Sequence, residues 1–440
     1  MEIYKGIRMT AEIAVINKSA IALAADSAVS ISDGNGSTKV YNGAEKLFAL
    51  TKYQPVGIMI YGTGSLCRVP WELVIKEYRK RIKDASFETL DAYAEDFFKF
   101  LEDEPNLIPR DYREHFVRMH WQYVYNQIWT IVDTKVARLI EEGEDEPSLG
   151  ETYELLDAEI TKVCSIFHQN DFLNNFTEDD VRAIKVECKQ FLEDHLISEA
   201  SKKDFPPKSI ELASDLLALA TAKENPLGSN SGVVFAGYGN SEYFPSILAF
   251  NLKGFWRDKL RVIPNKEKSA IAGSSGIQAY AQDEEALTFM HGISPFLESD
   301  IKSQYQSLFQ NVLVAVDNFI NETSLSKPEL KEFKDKLVTS TQELWNETNE
   351  SISTLIRKKY TDQVVDMVEF LPKDELAYMA ESLVNMTAFK RKVTNDTETV
   401  GGPIDVAIIS KGDGFVWIRR KHYFDSELNS HYFSNFLKGK

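Results

Sequence analysis

The chain has 440 residues, of which 43% are hydrophobic and 27% charged, so it has enough apolar material for a substantial core. Its formal net charge of -17 argues against a nucleic-acid partner, because phosphate binding depends on clustered Lys and Arg. No run of ~18 apolar residues predicts a membrane span, and the first residues lack the apolar centre of a secretory signal, so we expect a cytoplasmic protein with no membrane partner.

Cysteine and histidine usage gives no sign of a metal or redox site. The three cysteines, Cys67, Cys164 and Cys188, are widely spaced and form no C-x-x-C pair. His115 and His120 are five residues apart, which places them about 140° apart around a helix rather than on one metal-binding face. We therefore expect no structural disulfide, no metal and no cofactor.

The chain opens with a β-rich block from Thr10 to about Ser65. Its apolar runs AEIAVIN, AIALAAD, KLFAL and VGIMIYG are separated by turn signals such as NKS and SDGNGS. This pattern predicts two consecutive hairpins in one sheet.

A helical region follows, in which apolar residues recur at i, i+3 and i+4. One such stripe is Trp71, Val74, Ile75, Tyr78 and Ile82, and a second is Trp121, Val124, Tyr125, Ile128 and Val132. The acidic tract EEGEDEP and the Pro206-Pro207 pair predict loops that divide this region into several helices. We expect each stripe to pack against another element.

A second β-rich block begins near Gly232 and includes GVVFAGYG, SILAFNL and FWRDKLRVI. Further helices are predicted by the stripe Tyr305, Leu308, Phe309, Val312, Val316 and by a later one, Leu376, Met379, Ala380, Leu383. The chain closes with IDVAIIS, the turn GDG and FVWIRRKHY, a hairpin in which Gly414 would supply a positive φ. Strands segregated in this way favour a layered α+β domain over a parallel βαβ wind.

Four residues of the first block begin an ordered series of motifs: Thr10, Asp26 in ALAADS, Lys46 in AEKLFAL and Gly62 in IYGTGS. Later segments continue the series, with Gly273 and Ser274 in AIAGSSG and Gly401 and Gly402 before the closing hairpin. This ordered set resembles the proteasome β-subunits, which are N-terminal nucleophile (Ntn) hydrolases. The matches cover well under half of the chain, and Lys46 requires a slightly longer hairpin loop than most of that family has.

The resemblance implies a four-layer αββα Ntn-hydrolase sandwich with two large helical insertions. The implied divisions are a possible propeptide at 1–9, the first part of the core at 10–65, and a helical insertion at 66–230. The second part of the core would span 231–284, and a further helical insertion 285–372. The core would end with a helix and hairpin at 373–440.

The resemblance also implies roles for the matched residues. Thr10 would be the nucleophile, activated by its own α-amine once it is the first residue of the mature chain. Lys46 would lower the cost of the alkoxide, Asp26 would orient Lys46, and the Gly62 N–H would stabilise the oxyanion. Ser274 would hydrogen-bond the terminal amine or a nearby water.

Each matched residue also has an ordinary structural interpretation. Asp26 and Gly62 would be turn residues, and Lys46 would be a solvated charge. The G-T-G at Gly62 to Gly64 lacks the context of a phosphate-binding loop.

Two departures from the family bear on activity. Met9 precedes Thr10 where processed subunits have glycine, and the gapless positions of a supporting aspartate and serine hold Thr397 and Val400. Asp396 or Thr399 would replace the missing pair only with a local shift. Thr10 would be freed either by autocatalytic removal of nine residues or by translation from Met9 followed by methionine removal.

Two functions from different classes therefore remain open. The first is a threonine peptidase or amidohydrolase that cleaves amide bonds in a peptide or protein substrate through an acyl-enzyme at Thr10. The second is a catalytically inactive Ntn-fold scaffold or interaction subunit whose helical insertions carry the function. In either case the apolar stripes and the resemblance to ring-forming subunits favour a homo-oligomer.

Overall fold

A computed structural model describes residues 7–9, 11–32, 38–143, 145–196, 205–228, 231–321, 327–394, 400–425 and 427–438. Its strands are β1 (Ile7–Met9), β2 (Glu12–Ile16), β3 (Ile21–Ala25), β4 (Ala28–Ser32), β5 (Thr38–Asn42), β6 (Leu47–Ala49), β7 (Val56–Gly62), β8 (Ser65–Leu66), β9 (Val69–Pro70), β10 (Ser231–Gly237), β11 (Ser246–Trp256), β12 (Lys259–Pro264), β13 (Gly276–Ala279), β14 (Asp405–Ser410) and β15 (Gly414–Arg419). Its helices are α1 (Trp71–Ile82), α2 (Leu90–Asp103), α3 (Arg110–Glu141), α4 (Leu149–Gln169), α5 (Glu178–Phe191), α6 (Pro207–Ala222), α7 (Glu284–His291), α8 (Pro295–Asn321), α9 (Lys327–Ile356), α10 (Asp362–Phe370), α11 (Lys373–Val393) and α12 (Ser430–Lys438).

The fold is mixed α+β with antiparallel sheets, as the segregated strand pattern predicts. Two sheets have five strands each, in the orders β13-β2-β3-β14-β15 and β12-β11-β10-β7-β6. The hairpins β2-β3 and β6-β7 both form, but the expectation that they share one sheet is wrong. The connection between them instead carries the chain from one sheet to the other, through β4 and β5 of a separate small sheet.

Apolar side chains from both five-stranded sheets form one buried cluster, so the two sheets pack face to face. Ala14 and Leu23 contribute from the first sheet, and Met59 and Val234 from the second. The outer face of the second sheet is covered by α1 and α2, and the outer face of the first by α11 with parts of α7 and α10. The α11 stripe predicted from Leu376 and Leu383 is buried in this outer layer.

The first two helical stripes are buried as predicted. The α1 stripe that begins at Trp71 packs on the second sheet, and the α3 stripe that begins at Trp121 packs against α4 to α6. The closing hairpin β14-β15 is also confirmed, with Gly414 at a φ of 75°. The stripe at Tyr305 forms a helix, α8, but that stripe is not fully buried: Tyr305 is 44% exposed and Leu308 56%.

Three buried cations anchor the helices α3 to α6 to the β11-β12 hairpin. Arg261 donates from Nε to the Thr221 carbonyl at 2.9 Å and from Nη2 to the Ala220 carbonyl at 3.0 Å, at the C-terminal end of α6. Lys253 donates to the carbonyls of Asn225 and Leu227, each at 2.6 Å. Arg113 of α3 donates to the Ile108 carbonyl at 2.9 Å and to Asp258 Oδ1, in the turn between β11 and β12, at 3.4 Å. Arg261 thus satisfies the last carbonyls of α6, at the negative end of that helix, whereas the carbonyls of Asn225, Leu227 and Ile108 lie outside helices.

Lys253 should make the stability of the protein depend on pH. Burial, together with the charge of nearby Arg261, lowers the pKa of Lys253 from 10.5 to about 7. The unfolded chain therefore binds more protons than the folded chain between pH 7 and 10.5, so the free energy of unfolding rises with pH in that window. Relative to Lys253→Met, wild type should gain roughly 1.5 kcal/mol between pH 7 and pH 8.5 in urea unfolding. Equal pH slopes for the two proteins would contradict this expectation.

Candidate active site

Three chain segments meet at one end of the layer between the two large sheets. Glu12 begins β2, Asp26 follows β3, and Lys46 immediately precedes β6. Glu12 lies on the same face of β2 as Ala14 and Ile16, which face the second sheet. We call Glu12, Asp26 and Lys46 the buried charge cluster.

Lys46 is the centre of the buried charge cluster. Its Nζ lies 2.5 Å from Asp26 Oδ1 and 3.0 Å from Glu12 Oε1, and all three side chains are 0% exposed. A backbone hydrogen bond holds Lys46 beside β7: the Lys46 carbonyl accepts the N–H of Ile60 at 2.9 Å. The interpretation of Lys46 as a solvated surface charge is therefore wrong.

Asp26 is held by the backbone as well as by Lys46. Its Oδ1 accepts the Ala11 N–H at 3.2 Å, and its Oδ2 accepts the N–H groups of Gly401 at 2.9 Å and Ala28 at 3.3 Å. The bond to Ala28 is a local turn interaction, whereas Ala11 and Gly401 come from distant parts of the chain. Asp26 thus joins the start of β2, the approach to β14 and Lys46 at one point.

Gly62 ends β7 close to the buried charge cluster. It lies two residues beyond Ile60, whose N–H bonds Lys46, so it is about 7 Å farther along the strand. Its φ is 78°, a conformation that glycine adopts without strain. The structure therefore brings Asp26 and Lys46 into contact and leaves Gly62 nearby on the neighbouring strand.

Ser274 does not lie at the buried charge cluster. Its Oγ donates to the Ile271 carbonyl of its own loop at 2.6 Å. In the antiparallel register of β13 with β2, Gly276 is opposite Ile16 and Ala279 is opposite Ile13. Ser274 precedes Gly276, so it lies beyond the far end of β2, roughly 16 Å or more from Ala11. The proposed contact between Ser274 and the amine of Thr10 is not supported.

Thr10, Asp396, Thr397 and Thr399 lie outside the described residues. The residues on either side of them are informative. Val400 is 3% exposed and packs with the helices on the outer face of the first sheet, so an apolar residue suits its position. Ile7–Met9 form β1, which pairs antiparallel with β4 from Val29 to Ile31. The segment just before residue 10 is thus a strand paired with β4.

Glu12 was missed by the sequence reasoning, although a signal for it exists. It is the one charged residue in the otherwise apolar run AEIAVI, and it stands two positions after Thr10. Residues two apart in a strand share a face, so the sequence alone could have assigned Glu12 to the same face of a predicted strand as residue 10.

The buried charge cluster offers charge stabilisation and no metal centre. Within the described residues, no group of three or more His, Cys, Asp or Glu side chains is arranged to hold a metal ion. Two surface cavities of about 360 and 530 Å³ lie among the helices α3 to α6 and the β11-β12 hairpin, away from the cluster. Neither cavity contains a nucleophile paired with a base. None of the described helices is long and apolar enough to cross a membrane.

No protein-family model matches the chain, and no curated protein matches it with significant similarity. The geometry of the buried charge cluster and the order of the motifs are therefore the features that bear on function.

Proposed function

We propose that the chain is a threonine-type Ntn hydrolase that cleaves amide bonds in peptides or proteins, with Thr10 as the nucleophile. One observation carries the proposal: Lys46 is fully buried, bound to Asp26, and positioned where Ala11 donates its N–H to the same carboxylate. Ala11 is the residue to which Thr10 is covalently joined. A buried lysine and two carboxylates are costly to desolvate, and such groups are often retained where chemistry needs them.

The proposed mechanism follows from the charges around this position. A threonine hydroxyl needs a base, and a free α-amine at Thr10, with an unperturbed pKa of about 7.7 to 8.0, would accept its proton. The positive charge of Lys46 would lower the cost of the developing alkoxide, and Asp26 would keep the ammonium in place. The N–H of Gly62, at the end of the adjacent strand, would stabilise the oxyanion of the tetrahedral intermediate.

The arrangement of layers supports the same proposal. Two face-to-face antiparallel sheets with helices on both outer faces support the four-layer αββα arrangement that the resemblance implies. Fold alone does not establish function, so this agreement supports the proposal only together with the buried charge cluster.

The mechanism requires release of the residues before Thr10. In the described chain, residue 10 follows the strand β1, which pairs with β4. The nitrogen of residue 10 is therefore part of a peptide bond and is not a free amine. Either removal of residues 1–9 or translation from Met9 would create the terminal threonine. The unprocessed chain is then an inactive precursor.

A covalent probe tests the proposal directly. A peptide α′,β′-epoxyketone reacts with a hydroxyl and a neighbouring amine together, so it should label only a chain that begins at Thr10. Peptide mapping of the labelled protein should place the adduct on the first residue. Labelling at another nucleophile, or no labelling of a chain confirmed to begin at Thr10, would contradict the proposed mechanism.

A second function is favoured by a different observation. The long helices α8 and α9 expose several large apolar side chains, and Val400 stands where the resemblance, aligned without gaps, implies a supporting serine. Both features suit an inactive Ntn-fold scaffold that acts through its helical insertion. Absence of hydrolysis by a chain that begins at Thr10 would favour this alternative.

A further inference from the structure

The helices α8 and α9 form a two-helix projection that does not join the buried cores. They contain 27 and 30 residues, so each is about 40 to 45 Å long. The two helices contact each other, and few residues separate the end of α8 from the start of α9 in the sequence. They are therefore antiparallel. Among the described side chains from 295 to 356, none is buried and none belongs to a core cluster.

One apolar stripe of α8 is used in the contact with α9. Phe309, Leu313 and Val316 are partly buried and lie on one side of the helix. The ring of Phe309 meets that of Trp345 in α9 edge-on, with centroids 6.3 Å apart. This stripe accounts for the pairing of the two helices.

A second apolar stripe of α8 remains exposed. Ile301, Tyr305, Leu308 and Val312 are 37%, 44%, 56% and 48% exposed, and their spacing of four, three and four residues is that of a coiled-coil seam. At 100° per residue, this stripe is centred roughly 80° from the one that faces α9. A helix with two such stripes has the apolar surface for two neighbours, as each helix of a four-helix bundle has.

The helix α9 also exposes large apolar side chains on one side. Phe333, Leu344 and Leu355 are 51%, 54% and 52% exposed, and they recur every 11 residues, which keeps them on one side of the helix. At roughly 100 Å² for each half-exposed large side chain, the seven residues of the two exposed stripes present on the order of 700 Å². A stable protein interface buries about 800 Å² on each partner.

The charge distribution favours a second copy of the same chain as the partner. The chain as a whole carries a net charge of -17, so like surfaces generally repel. From residue 303 to 316, however, α8 contains no Asp, Glu, Lys or Arg. A two-fold interface brings identical groups together, and an uncharged segment removes the repulsion that would oppose it.

We propose that the α8-α9 hairpins of two copies pack through their exposed stripes into an antiparallel four-helix bundle. Leu308 is the central residue of α8, so the two-fold axis would bring Leu308 of each copy close to its counterpart. This interface does not depend on the proposed hydrolase activity, because its residues lie outside the two sheets.

Light scattering on the full chain at about 50 μM tests the interface. Wild type should have the mass of a dimer, or of a larger oligomer built from dimers, and Leu308→Glu should halve it. Gln310→Glu is the matched control, because it adds the same charge two residues away on an exposed face of the same helix, and it should keep the wild-type mass. A monomeric wild type, or an oligomer that Leu308→Glu leaves unchanged, would overturn the proposal.

A cross-linking experiment tests the axis itself. All three native cysteines are buried and free. A cysteine introduced on the exposed stripe of α8 is therefore the thiol that can form a disulfide with a second copy. Under mild oxidation, Leu308→Cys should form a disulfide-linked dimer, whereas Gln310→Cys should not. Equal cross-linking of the two variants would show that α8 has no defined partner face and would refute this packing.

Discussion

Thr10→Ala should abolish amide hydrolysis while leaving the fold intact. Removal of a nucleophile typically lowers kcat by 10⁴-fold or more, because no other group replaces the covalent step. To separate chemistry from processing, the variant should be expressed from Met9, so that removal of the initiator methionine exposes position 10. Turnover of a fluorogenic peptide by wild type and variant, with circular dichroism to verify folding, measures the effect.

Ser274→Ala is the matched control for the loss of a hydroxyl. Ser274 bonds only its own loop among the contacts that the structure describes, so its removal should change kcat by less than about twofold. Thr10→Ser keeps the hydroxyl and should retain measurable turnover. If Thr10→Ala hydrolyses the peptide at the wild-type rate, the nucleophile lies elsewhere.

Lys46→Met should destabilise the protein strongly as well as inactivate it. The change leaves Glu12 and Asp26 buried without the ammonium that lies between them, and removal of one partner from a buried ion pair costs about 3 to 5 kcal/mol. Urea unfolding should show a free energy of unfolding that is lower by that amount. Any folded fraction should have no turnover, because it lacks the charge that we propose stabilises the alkoxide.

Two further variants make the Lys46 result interpretable. Lys80→Met removes a 72% exposed lysine paired with Glu77, and it should change the free energy of unfolding by less than about 0.5 kcal/mol. Adding Glu12→Gln to Lys46→Met removes one of the two carboxylate charges that face Lys46 in the wild type, and it should recover part of the lost stability without restoring activity. A Lys46→Met protein with wild-type stability and turnover would remove Lys46 from both roles.

The strands and most helix faces were predictable from periodicity, because alternation and i, i+3, i+4 spacing reflect which side chains must leave water. The contact between Asp26 and Lys46 was predictable from the resemblance that their order along the chain suggests. Their burial was not, since an isolated lysine in a sequence is usually exposed. The third member, Glu12, required knowledge of which face of β2 meets the second sheet.

The sequence did not predict features that depend on strand register between distant segments or on contacts with another chain. Ser274 matches a motif, but the pairing of β13 with β2 determines where its loop ends, and no local pattern specifies that pairing. The assignment of β2-β3 and β6-β7 to different sheets depends in the same way on contacts far apart in the chain. For α8, spacing predicted the apolar stripe correctly but gave no information on whether its partner is in the same chain.

The amino terminus of the hydrolytically active protein decides whether Thr10 is the nucleophile. Intact-mass analysis and N-terminal sequencing of the active species should show a chain that begins at Thr10, because the α-amine of that residue is the proposed base. A protein that retains the residues up to Met9 and still hydrolyses amide bonds would contradict the account.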